Sequence, residues 1–169
     1  MTHRLLVATF AVLVPAAACG QASEGWPQHS RERPAPPIGV APALRTPVAP
    51  PPGATILFDG RSLDAWRSSD GVSAARWQLL GDGAMAVQPG TGGIETKAAF
   101  GDVHLHVEWS APDPPTATGQ DRGNSGVFLM GRYEVQVLDS YESATYADGQ
   151  AGAIYGQYPP RLNLAQPPG

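Results

Sequence analysis

Glycine and proline punctuate this chain so densely that long helices have no room. Twenty Gly and 18 Pro are spread over 169 residues. Gly loses the most freedom on ordering and Pro lacks a backbone donor, so both break regular elements and favour turns. No window outside the first 20 residues carries apolar residues at helical spacing. What remains is a set of short strand-like runs between turn signals. "ATILFDG" reads as a short apolar strand ending in a turn, with "LDAWR" after it. "ARWQLLGDGAMAVQPG" reads as strand, tight turn, strand, and "IETKAAF" as one more. The clearest alternation is "DVHLHVEW". Val103, Leu105, Val107 and Trp109 fall on one face, His104, His106 and Glu108 on the other. "GVFLMGRYEVQVLDS", residues 126–140, reads as two strands around a turn. Short strands at close spacing predict an all-β sandwich or barrel.

The amino terminus has a different texture. "MTHRLLVATFAVLVPAAACG" combines His3 and Arg4, an apolar run over Leu5–Val14, and small residues before Cys19. That is the layout of an export signal, too short for a spanning helix. The lone cysteine, directly after the small residues, resembles the lipidated first residue of a bacterial lipoprotein. The expectation is a signal over 1–19 and an exported protein, periplasmic or on the cell surface, that meets a membrane only through Cys19. Residues 20–53 hold nine of the 18 prolines and predict an extended, disordered tether. Residues 54–169 are the expected folded domain. From Ala54 onward 13 acidic residues face seven basic ones, and this excess of negative charge argues against a nucleic-acid partner.

Two polar strand faces are the candidate sites. Glu134 and Gln136 are one residue apart and share a face, as do His104, His106 and Glu108. Polar side chains on a solvated sheet face explain either set as simply as a binding floor does. The His-x-His pair with Glu108 has the donor types for a divalent metal. No cofactor is otherwise expected, and a metal is left open.

Four segments in fixed order, "ILFDGRSLDAWR", "GDVHLHVEW", "GNSGVFLMGRYEVQVLDS" and "YADGQAGAIYGQYPP", resemble the 3-keto-disaccharide hydrolase family. The resemblance implies a concanavalin-like jelly-roll β-sandwich with a small carbohydrate bound on its concave sheet. The family pattern continues past "NLAQPPG" with further strands, so the resemblance also implies a carboxyl-terminally truncated copy with an incomplete sandwich. A carbonyl at C3 of a sugar acidifies the hydrogen on C2. Cleavage can then begin by proton removal and elimination at C1, and end as net hydrolysis when water adds. Such chemistry needs a base, donors for the C3 oxyanion and an acid near the leaving oxygen. Glu134 is the candidate base. Gln136, Asn124 and Arg122 are candidate donors to hydroxyls or to the oxyanion. Asp139, His104, His106 and Glu108 are candidates for acid, metal or binding roles, and Tyr155 and Gln157 for the rim of the site.

Two other functions fit the same pattern. "EVQVLD" is similar to the carboxylate-bearing strand of β-glucanases, but a retaining glycosidase needs two carboxyls about 5 Å apart. The residues after Glu134 on its face are Gln136 and Leu138. A glycan-binding module without catalysis is the other alternative.

Overall fold

The structure, a computed structural model, describes residues 25–43 and 49–169. The expected export signal, Cys19 included, lies outside the described residues. Among those residues there is no α-helix, and no helix is long and apolar enough to cross a membrane. Six strands form three separate antiparallel pairs: β1 (Trp66–Ser68) with β4 (Ile94–Thr96), β2 (Gln78–Leu79) with β3 (Met85–Ala86), and β5 (Ser125–Leu129) with β6 (Tyr133–Val137). The chain divides into two compact units. Of the described residues, 25–43 and 109–169 form one and 49–108 the other.

The first unit is built on the β5–β6 hairpin. Its turn places Met130 and Gly131 in the left-handed region, with φ of 55° and 62°. The register sets Phe128 opposite Glu134 and Gly126 opposite Gln136. The outer edge of β6 is also paired. Gln136 N donates to Ala153 O, Gly152 N to Gln136 O and Tyr155 N to Glu134 O. β6 is therefore a central strand, and the residues beyond it close over its end. Leu138, Ala147 and Ala153 are buried, and so are the polar residues Gln136, Asp139, Ser140, Asp148 and Gln150.

The proline-rich segment departs from the expected tether. Residues 25–43 belong to this first unit. His29 N donates to Asp148 Oδ2 at 3.0 Å, Arg33 is buried with Nη1 on the Gln157 carbonyl at 3.2 Å, and Ile38 bridges Asn163 in parallel. Proline removes donors but leaves carbonyls free, and these are used: Asn163 N donates to Pro37 O and Gln166 Nε2 to Pro42 O. A proline-rich stretch can thus dock along a surface even though it cannot join a sheet as an inner strand.

The second unit carries shorter elements. The "GDG" turn joins β2 to β3 as expected, with Leu80 N donating to Ala84 O. β1 and β4 place Arg67 opposite Glu95, which bond at 2.6 Å. Two expected strands are absent among the described residues. Residues 54–60 form no ladder; Asp59 Oδ1 instead accepts from Arg61 N and Ser62 N in a local turn. The run 103–109 has no assigned strand, and Val103, Leu105, Val107 and Trp109 are each about half exposed. Alternation marks which faces a strand would have; it does not supply a partner with which to form the ladder.

Candidate functional site

The site is read from β6 outward. Glu134 and Gln136 share one face, as the alternation predicts, and they are close. Their side chains approach at 3.2 Å between Glu134 Oε1 and the Gln136 amide. Gly126 on the facing strand makes this possible: a Cβ there would lie 2.7 Å from Glu134 Cγ and 2.8 Å from Cδ. The carboxyl of Glu134 therefore folds over a position that must stay bare. Burial raises the proton affinity of Glu134 above the ordinary carboxylate value.

Gln136 is closed inside the molecule, at 1% exposure. Its side chain is closed off from solvent, where the expectation from sequence has it facing a ligand. Its amide nitrogen donates to Ser125 O at 2.8 Å and to Glu134 Oε1 at 3.2 Å, and Gln120 and Gly149 lie on its other side. Gln120 itself is tied down, since its Nε2 donates to Thr145 Oγ1 at 2.7 Å and to Gly149 O at 2.9 Å.

Beside this cluster lies a polar hollow of about 520 Å³, within the usual size of small-molecule sites. Arg31, Gln120, Arg122, Glu142 and Thr145 are among its lining residues. Glu134 and Gln136 are not, so Gln120 is the residue common to the hollow and to the β6 cluster. Arg122 Nε bonds Asp139 Oδ2 at 2.6 Å, and Asp139 N donates back to Arg122 O at 3.1 Å. Asp139 is thus a buried partner of Arg122, not a solvent-facing acid. Asn124 spends its amide on the Gln120 carbonyl at 2.7 Å, which shapes the loop.

The model of a 3-keto-alpha-glucoside-1,2-lyase-like domain matches residues 53–169. The chain belongs to that family. This is a family of carbohydrate-active, lyase-like domains. A crystal structure from Parabacteroides distasonis, provisionally described as a glycosyl hydrolase, superposes with a TM-score of 0.67 at 41% identity. The match covers 79% of this chain and 64% of that one, so the chain spans just under two thirds of its structural relative. No functionally curated protein matches.

Within the lyase-like domain, the structure brings together only part of the expected site. Glu134, Gln136, Arg122, Asp139 and Asn124 lie around the hairpin and its preceding loop. Tyr155 joins them through its backbone bond to Glu134, while its hydroxyl pairs with that of Tyr146 at 2.6 Å. Burial, then the bond to Tyr155, pushes the Tyr146 hydroxyl far above its usual range. Gln157 contributes its carbonyl to Arg33. His104, His106 and Glu108 belong to the other unit and are exposed; His106 Nε2 lies 3.0 Å from Glu108 Oε1. Among the described residues no group of three or more His, Cys, Asp or Glu could hold a metal ion.

Three groups were not legible as site residues. Gln120 sits in a Gly- and Thr-rich loop, where a single polar residue carries no periodic signal. Asp148, 1% exposed, looks like a turn former in "YADGQ". His29 lies in the proline-rich segment, and its ring packs against Tyr146 and Tyr155 with centroids 4.4 and 5.0 Å away.

Proposed function

We propose that this chain is an exported enzyme that cleaves 3-keto-glycosides by elimination, with Glu134 as the base. Glu134 takes the proton from C2, the electron pair shifts toward the C3 oxygen, and the C1–oxygen bond then breaks. The aglycone oxygen leaves and takes up a proton. Water added across the C1–C2 double bond makes the net change a hydrolysis. The observation that carries this reading is the Glu134 carboxyl itself, seated over Gly126 beside an amide network and with raised proton affinity. A base of that kind is stronger near neutral pH than an ordinary carboxylate. Arg122, paired with Asp139 and lining the adjoining hollow together with Arg31, is the cation we assign to a developing oxyanion. We read the three strand pairs as pieces of a concanavalin-like sandwich, and Cys19 as a lipid anchor holding the enzyme in the periplasm or at the cell surface.

The test compares a 3-keto-glycoside with its unoxidised parent. The wild-type chain should release aglycone from the 3-keto substrate alone. Glu134→Gln should lower kcat by about 100-fold or more with binding kept. Full turnover in that variant removes Glu134 from the mechanism. Equal release from both glycosides overturns the elimination, and binding without release would leave a glycan-binding module.

A further inference from the structure

The proline-rich segment is fastened to the first unit at specific points. His29 N donates to Asp148 Oδ2 at 3.0 Å, and the His29 ring packs on Tyr146 and Tyr155 with centroids 4.4 and 5.0 Å away. Gly156 is bare where Gln28 crosses it: a Cβ there would lie 3.0 Å from Gln28 Cδ and 3.1 Å from Cγ. Buried Arg33 donates to the Gln157 carbonyl at 3.2 Å, and Gly39 N to Asn163 O at 3.0 Å. Arg31 stands between the His29 and Arg33 anchors. Fixed on either side, it is carried to the hollow of about 520 Å³, which it lines. Its charge also reaches the Tyr146 hydroxyl, where it opposes the upward push of burial and of the bond to Tyr155.

We propose that the hollow holds the leaving group of the glycoside, a neutral sugar, and that Arg31, carried there by the docked segment, is one of its binding residues. This rests on the reading of this unit as the glycoside-cleaving site, and it names the part of the substrate that the hollow takes. Arg31 precedes residues 53–169, so the family pattern assigns it no role. Arg122 is tied to Asp139 at 2.6 Å, whereas Arg31 is exposed and has no ion pair among the described residues, which leaves its guanidinium donors for a ligand. The ionisable lining is balanced, with Arg31 and Arg122 against Asp121 and Glu142, so it favours neither an anion nor a cation. A sugar hydroxyl donates and accepts at once and can use both signs. Gln120 and Thr145 add neutral partners. Gln120 also borders Gln136, which sets the hollow beside the Glu134 cluster.

The experiment measures binding to the full chain by calorimetry with two unoxidised probes, maltose and methyl α-glucoside. Neither carries the C3 carbonyl, so binding is read without turnover. A chain that proves inactive on 3-keto-glycosides would still give the reading, which separates failure here from failure of the proposed reaction. Wild type should bind maltose more tightly than methyl α-glucoside, because the second ring enters the hollow. Arg31→Ala should weaken maltose about tenfold, the scale of one hydrogen bond to a charged group, and leave methyl α-glucoside unchanged. Arg31 is exposed, so its truncation opens no buried space. Equal affinity of the wild type for the two probes, or no binding of maltose, overturns the proposal. So does Arg31→Ala if it weakens both probes equally or neither. Glucuronate is the third probe: if it binds more tightly than maltose and loses that preference in Arg31→Ala, the hollow is an anion site and the sugar assignment falls.

Discussion

The two units use polar residues in opposite ways. In the unit built on β5 and β6, Gln136, Asp139, Ser140, Asp148 and Gln150 are all buried, and they outnumber the buried apolar residues Leu138, Ala147 and Ala153. In residues 49–108, Ser68 is the one residue among those described that is buried, and the Arg67–Glu95 pair is about 40% exposed at both ends. Buried polar groups cost free energy unless they find partners, so the first unit depends on its network, in which His29 Nε2, Asp148 Oδ1 and Gln150 Oε1 are buried without a hydrogen-bond partner among the described residues. The second depends on short ladders and local turns.

That contrast can be broken most directly at one ion pair in each unit. Asp139→Ala strands Arg122 in a mostly buried position and should cost about 3 kcal/mol or more of stability. Glu95→Ala removes the partner of an exposed Arg67 and should cost at most about 1 kcal/mol. Chemical denaturation of the full chain reads both. Equal losses would mean that burial does not separate the two units energetically.

Gly126→Ala sharpens the comparison at a position where the cost falls on function. The new methyl would lie on the Glu134 side chain, whose end can move. The loss of stability should therefore stay near the low end for overpacking, about 1 kcal/mol. The displaced carboxyl should lower kcat on a 3-keto-glycoside by about 100-fold, the scale expected for a misplacement near 1 Å. Unchanged turnover would mean that the seat over Gly126 is irrelevant to the reaction.

What was legible in the sequence follows the same division. The β5–β6 and β2–β3 hairpins were readable because their turns and alternation are local, and the shared face of Glu134 and Gln136 follows from period two alone. The network around them was not. Gln120 reaches Gln136 from 16 residues away, and His29 reaches Asp148 from 119. Such contacts depend on how turns stack, which no short window encodes. The run 103–109 failed in the opposite sense: its pattern is strong, but a strand also needs a partner. The role of Gly126 as space for a neighbouring carboxyl became visible once the register was known.

The smallest expected effect is also the one with a sign that differs between the units. Asp70 is fully exposed, yet its carboxyl is held down to about 2 from 3.8 by Ser73 first and then by the Val72 and Ser73 amides. Its folded-state value is depressed. Its contribution to stability is therefore present above about pH 3.8 and is lost as pH falls toward about 2. Glu134 runs the other way. Its folded-state affinity is raised, so its contribution is greatest when it is protonated and is lost as pH rises from the ordinary carboxylate value of 4.5 through the higher folded value. Thermal midpoints across pH should show this. Asp70→Asn should flatten the acid limb between pH 3.8 and 2, and leave the profile near neutrality unchanged. Glu134→Gln should leave that limb intact and relieve a loss of stability above pH 4.5. A Glu134→Gln chain less stable than wild type at neutral pH would show that the carboxylate contributes more through its bonds than burial takes away.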